Sequence, residues 1–170
     1  MSKNEIVITP LQIYKVPILI AEHGEGTIYK ISDNHCAKMP SGNRYKTDMF
    51  YEIKMCRLLY SLGISVPEPI MCDYVRINGA VKKGFIMDYI DGITNSIHGD
   101  KTDEFSDYEW NLATTLALDE VKRAKKLGFS LAKNKDGHNI DNPEWIFTKD
   151  KKIKLIDFTK WQYKDIICQY

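Results

Sequence analysis

The sequence has almost no net charge, few cysteines and no long apolar run, and each shortage removes a class of function. With 24 basic against 23 acidic side chains the balance is +1, so no large field marks a surface for nucleic acid or for lipid headgroups. Neither nucleic acid nor membrane is therefore expected as a partner, and the short basic run Lys149 to Lys154 reads as a solvated turn. The four cysteines, Cys36, Cys56, Cys72 and Cys168, are spaced 56−36 = 20, 72−56 = 16 and 168−72 = 96 residues apart. That spacing fits neither paired metal ligands nor a dense disulfide framework. Reduced thiols in a cytoplasmic setting are expected, or in a host cytosol if the source is a virus or a secreted effector. The longest apolar run, Val16 to Ala21, cannot cross a bilayer. No basic-then-apolar leader opens the sequence, so neither export nor anchoring is expected.

What is present suits one compact domain or two small lobes sharing a core: 170 residues, 44% apolar and 11% aromatic. Strands come first. Leu11 to Ala21 and Thr27 to Ile31 are rich in Ile, Val, Tyr and Thr, and the turn Ser32-Asp33-Asn34 leads into a short strand ending at Lys38. From about Tyr45 to Leu62 the apolar residues Phe50, Ile53, Met55, Leu58, Leu59 and Leu62 recur at helical spacing, and Gly63 with Pro67 supplies the stop. Ile70 to Ile77 and Lys83 to Tyr89 read as a hairpin turned at Asn78-Gly79. The first 90 residues thus predict β-β-β-α-β-β. A polar stretch, Asp91 to Ser106, precedes a helix over Asp107 to Lys126 closed by Gly128. After a loop containing Pro143, Trp145 to Thr148 and Lys152 to Ile156 form a last hairpin turned by Lys149-Asp150-Lys151.

This order and several motifs resemble the protein-kinase-like superfamily. "HGEGTIYKI" is similar to its glycine-rich loop, "CAKM" to its third strand with the lysine, and "FYEIKMCRLLYSLGISVP" to the helix that carries the partner glutamate. "GFIMDYIDG" resembles the fifth strand and hinge, and "IKLIDF" the strand bearing the metal-binding aspartate. The flavour is that of the minimal or atypical kinases, the RIO-like and aminoglycoside-phosphotransferase-like branches, with a pseudokinase as a variant of the same reading. The resemblance implies an α+β, two-lobed protein-kinase-like fold: a five-stranded N-lobe plus one helix, and a truncated, mainly helical C-lobe. As one domain over 1–170 it would have its N-lobe at about 11–90, its hinge at about 88–92 and its reduced C-lobe at about 93–170.

It also implies ATP and Mg2+ as cofactors and assigns roles residue by residue. Gly24 and Gly26 would let backbone N–H groups approach the phosphates, with Gly26 either the second or the last glycine of the loop; a plain hairpin turn explains two glycines equally well. Lys38 would hold the α- and β-phosphates and be held in turn by Glu52, which lies 52−38 = 14 residues on. Met87 falls at the gatekeeper, where a core methionine is the plainer reading, and Asp88, Tyr89 and Ile90 would form the adenine-binding hinge. Asp157 would bind magnesium, a hard cation that prefers oxygen; Thr159 stands where the family has glycine.

The catalytic loop admits three registers within "NKDGHNIDNPEWIF". Aligned on Pro143-Glu144, Trp145 replaces the metal asparagine and Ile140 the base, a dead site. In a longer loop Asp136 is the base and Asp141 the metal ligand, with Asn142 a further oxygen donor. Counted 157−144 = 13 residues back from Asp157, Glu144 takes the metal position and Asn139 the base. The "HGD" at His98 to Asp100 reads as a loop turn, since Phe105 falls where asparagine should be. Only 170−157 = 13 residues follow Asp157 in the sequence, so peptide-docking helices are not expected there; Trp161 and Tyr163 are expected to pack that tail.

Three functions follow from different classes. An active minimal phosphotransferase would move the ATP γ-phosphate to a protein or small-molecule hydroxyl. A pseudokinase would keep the fold and serve a regulatory protein partner. An unrelated α+β domain would carry the motifs by coincidence.

Overall fold

The computed structural model of the chain describes residues 6–8, 13–15, 18–23, 26–40, 49–77, 80–95, 101–131 and 143–163. They fall into two compact units, Met1–Lys54 with Glu68–Tyr89, and Met55–Pro67 with Ile90–Tyr170.

The first unit is built on strands. β1 (Ile6–Ile8) and β2 (Ile13–Lys15) form a small antiparallel hairpin. β3 (Ile18–His23), β4 (Gly26–Lys30), β5 (His35–Met39), β6 (Pro69–Ile77) and β7 (Ala80–Asp88) form a five-stranded sheet in the order β3-β4-β5-β7-β6. Every neighbour is antiparallel. The single strand predicted over Leu11 to Ala21 is therefore two, the earlier pairing with β1; Pro17, which has no N–H to give a ladder, falls between them. The turn between β4 and β5 is held by Ile31 N–H on the His35 carbonyl (3.0 Å) and Asn34 N–H on Ser32 Oγ (3.3 Å). Such local hydroxyl bonding is why Ser-Asp-Asn turns a chain. Ile31, Ala37, Met39 and Ile86 form the core of this sheet, with Tyr29, Ile70 and Met71 packed on it.

Helix α1 (Met49–Ser61) follows β5, and the division between the units passes through it, after Lys54. Ile53, Met55 and Leu59 are buried as the stripe predicts, with Cys56 beside them, whereas Leu62 is exposed and Phe50 is half exposed with the Lys83 ammonium 3.2 Å from its ring centroid. Gly63 ends the helix at φ +75°. Its N–H reaches the Tyr60 carbonyl (3.0 Å) and the Ile64 N–H reaches that of Leu59 (3.0 Å), the paired bonds that a left-handed residue after a helix permits.

The second unit contains β8 (Gly92–Thr94), α2 (Asp107–Lys126), β9 (Phe129–Leu131), β10 (Glu144–Thr148), β11 (Ile153–Ile156) and β12 (Trp161–Tyr163). They form sheets β11-β10-β8 and β12-β9. Helix α2 starts on a capping box in which Ser106 Oγ accepts from Glu109 N–H and the Glu109 carboxylate accepts from Ser106 N–H. Ala113, Ala117, Val121 and Ala124 form its buried stripe, and these small side chains let β9 and β11 approach. Burial alternates along β10 and β11, so the paired residues Trp145 and Leu155, and Phe147 and Ile153, all face inward.

Four short strands depart from the sequence reading, which began its strands at Leu11, made 91–106 a polar stretch and assigned no strand at 129–131 or 161–163. Three residues are too few for an alternating pattern to register. β8 also depends on a feature with no hydropathy: a Cβ on Gly92 would lie 2.4 Å from the Phe147 carbonyl oxygen, so only glycine allows that strand to close on β10. Among the described residues no helix is long and apolar enough to cross a membrane.

Candidate functional site

In the first unit, Lys38 and Glu52 are brought together. Lys38 sits on β5, the middle strand of the sheet, and Glu52 in the first turn of α1. The lysine Nζ donates to Glu52 Oε2 at 2.8 Å, with the side chains 10% and 1% exposed. Gly26 lies beside them. An added Cβ would stand 3.0 Å from the Met39 carbonyl oxygen and 3.2 Å from Lys38 Cε, so the missing side chain is what seats the lysine stem. Gly24 lies outside the described residues.

Met87 is buried on β7, opposite Cys36 on β5 and Pro69 on β6. The segment that follows is tied inward: Asp88 N–H donates to the Glu68 carbonyl (3.0 Å), Asp88 Oδ2 accepts from Glu68 N–H (3.3 Å), and Tyr89 N–H donates to the Asn34 carbonyl (2.8 Å). The Cys36 thiol donates to the Asp88 carbonyl at 3.4 Å. Burial, then the Asp88 charge, pushes that thiol up to about 12, so it stays protonated and unreactive. Lys30 lies 4.2 Å from the centroid of the Tyr89 ring.

In the second unit, Ile90 is half buried at its start, and Asp157 closes β11. Asp157 holds φ +55°, a left-handed conformation that few residues other than glycine adopt, aspartate and asparagine being the usual exceptions. Its Oδ1 accepts from Thr159 Oγ1 at 2.8 Å and from Thr159 N–H at 3.4 Å. The strand that delivers it is stitched in place by the segment after α1. Ser65 Oγ donates to the Ile153 carbonyl (2.5 Å), Leu155 N–H to the Ser65 carbonyl (2.8 Å) and Lys154 Nζ to the Val66 carbonyl (3.1 Å). From α2, Glu120 Oε2 accepts from Ser65 N–H (2.9 Å), and Arg123, paired with Glu120 at 2.5 Å, donates to the Gly63 carbonyl (3.0 Å). The sequence carries no local signal for this clamp, because Ser65 and Glu120 are separated by 55 residues.

Asp136, Asp141, Asn142, Asn139, Ile140 and the His98 to Asp100 turn lie outside the described residues. Of the other loop positions, Trp145 is buried against Phe105 and Trp110, at ring-centroid distances of 5.6 and 5.5 Å, and makes part of the core. Glu144 stands opposite Ile156 in the β10–β11 ladder, with Lys160 Nζ 3.5 Å from its Oε1. Trp161 is buried and Tyr163 stacks on Phe129 at 4.8 Å. Among the described residues no group of three His, Cys, Asp or Glu side chains gathers at one point. A magnesium ion asks for less: it keeps several waters and takes one or two carboxylates plus phosphate oxygens. The hard oxygen donors of Asp157 fit that requirement.

No protein-family model matches the chain, and no curated protein matches it. Solved structures do. The Legionella pneumophila Lpg2603 kinase, in a structure bound to IP6, matches with a TM-score of 0.52 at 15% identity over 93% of this chain and 55% of its own. APH(2″)-IIa, in a ternary complex with streptomycin and ATP, matches with a TM-score of 0.38 at 20% identity over 68% of this chain and 35% of its own. The chain thus spans about half the length of the first of these. The chain has an α+β fold similar to that of the Lpg2603 kinase.

Proposed function

We propose that the chain is a kinase-like ATP-binding protein that transfers the γ-phosphate of ATP to a hydroxyl of a protein or small molecule, with Mg2+ as cofactor and 1–170 acting as one kinase-like domain. The observation that carries the reading is the buried pair Lys38–Glu52. Two charges taken out of water cost several kcal/mol each, and pairing at best repays this, so a buried ion pair is poor stabilising material. A protein that keeps one gains something else. Here that gain is an ammonium held rigid for the phosphates, with Gly26 leaving room for its stem.

In this reading Gly24 and Gly26 cover the phosphates, and Met87, Asp88, Tyr89 and Ile90 receive the adenine. Asp157 is the magnesium ligand, with Asp141 and Asn142 as further oxygen donors. Magnesium, when bound, neutralises charge on the phosphate oxygens. Asp136 or Asp141 accepts the proton of the acceptor hydroxyl. The acceptor oxygen forms its bond to phosphorus as the bond from phosphorus to the ADP oxygen breaks.

The test is transfer of labelled γ-phosphate to a panel of protein and small-molecule hydroxyls by wild type and Asp157→Asn. Turnover abolished by the substitution supports the proposal, and full activity retained in the variant sinks the assignment. A second reading, a pseudokinase that binds a regulatory partner, is favoured by the lack of any complete His-x-Asp-x-x-x-x-Asn motif and by Thr159 in place of glycine. It expects partner binding that is indifferent to nucleotide and no consumption of ATP.

A further inference from the structure

We propose that Thr159 is a positioning residue that aims the Asp157 carboxylate at a divalent cation through its side-chain hydroxyl. The inference rests on the reading of Asp157 as a metal ligand and adds the group that orients it. A carboxylate turns freely about its last torsion, where rotamer preferences are broad. Backbone conformation alone therefore leaves its oxygens undirected. Asp157 has its backbone fixed at φ +55°, and Thr159 supplies what the backbone cannot.

Thr159 offers Asp157 Oδ1 two donors, and they are unequal. The backbone N–H at 3.4 Å is beyond the ordinary range for such a bond, whereas the hydroxyl at 2.8 Å is at the preferred O–H···O distance. Of the two Thr159 contacts, the side chain's is the one able to orient the carboxylate. Glycine at this position would keep the weak amide contact and lose the strong one. Branching at Cβ further narrows the choice of side-chain rotamers, so the hydroxyl is presented with little loss of entropy.

The bland alternative is a turn cap that steadies the chain between β11 and β12 and does nothing for a ligand. The two differ in what Thr159→Val should change. Valine keeps the shape and branching and removes only the donor. Partners that orient a metal ligand typically contribute 10–100-fold to metal affinity.

The experiment uses the full chain and Mn2+ as the probe, read by the electron-spin signal of the free ion, for wild type, Thr159→Val and Thr159→Ser, each with and without ATP. Melting temperatures without ligand are measured alongside. The expected result is Mn2+ affinity about tenfold or more weaker in Thr159→Val and close to wild type in Thr159→Ser. Stabilisation of Thr159→Val by ATP in metal-free buffer should match wild type. Three outcomes overturn the inference: Thr159→Val binding Mn2+ like wild type with only its melting temperature lowered, Thr159→Ser as weak as Thr159→Val, or a wild type that takes up no Mn2+ in either condition. The nucleotide reading fails separately, if ATP without metal stabilises neither wild type nor any variant while Mn2+ binding still follows the hydroxyl.

Discussion

Lys38 Nζ and Glu52 Oε2 stand 2.8 Å apart with their side chains 10% and 1% exposed, a charge pair largely shielded from water. Removing one partner should be worse than removing both. Lys38→Met leaves a carboxylate buried without its countercharge and is expected to cost about 3–5 kcal/mol, while Lys38→Met with Glu52→Leu should recover much of that loss. Urea unfolding of the single and double variants measures it. Equal destabilisation in both would mean that the pair itself holds the first unit together.

Gly92 and Gly26 predict unequal tolerance to alanine. At Gly92 the new Cβ would meet the Phe147 carbonyl oxygen at 2.4 Å and Ile146 Cγ2 at 2.7 Å, and backbone cannot step aside. Gly92→Ala should cost about 1–3 kcal/mol by overpacking, seen as a lowered denaturation midpoint. At Gly26 the nearest atoms are 3.0 and 3.2 Å away and one belongs to the flexible Lys38 stem. Gly26→Ala should cost less stability than Gly92→Ala and should in addition weaken ATP binding, by moving the ammonium.

Cys36 gives a pH dependence. Its thiol is raised from an ordinary 9.0 to about 12 by burial first and the Asp88 charge second. Between those values the unfolded chain has lost the proton that the folded one keeps, so stability is fully present below about pH 9 and falls as pH rises towards 12. Chemical unfolding at pH 8 and pH 11 should show a loss in wild type that is smaller in Cys36→Ala. Iodoacetamide should label Cys36 only as fast as the protein opens.

Ser106 closes a capping box on α2, and Ser106→Ala should lower stability by about 1 kcal/mol, measured by thermal or urea unfolding. The Glu109 carboxylate in the same box is held below its usual range, chiefly by the Ser106 hydroxyl and then by its amide. A depressed carboxylate stabilises above its unfolded pKa and ceases to do so as pH falls through its folded one, so the variant and wild type should converge in acid.

Where a residue's partners are near in sequence, the fold was readable. The Gly63 stop, the β6–β7 pairing and α2 from Asp107 to Lys126 all follow from local chemistry, turn residues or a 3.6-residue period. Lys38 and Glu52 were nameable as partners because the resemblance to protein kinases pairs a lysine of the third strand with a glutamate of the helix that follows, and the two side chains meet at 2.8 Å. Elements set by distant backbone were not readable: β8 exists because Gly92 fits under Phe147, and the Ser65–Glu120 clamp joins segments that share no motif. Thr159 lies between these cases. The resemblance marks it as a departure from glycine, and the 2.8 Å bond from its hydroxyl to Asp157 is visible only in the structure.

The measurement that tests the account most directly is thermal stability against ATP, with and without magnesium, on wild type, Lys38→Ala and Asp157→Ala. A ligand that binds only the folded state stabilises it by roughly 2.7 kcal/mol at a hundredfold excess over its dissociation constant. The account predicts that ATP raises the melting temperature of wild type and that magnesium raises it further. Lys38→Ala should lose the ATP effect, and Asp157→Ala only the magnesium increment. No shift in wild type at millimolar ATP, with or without magnesium, would contradict it.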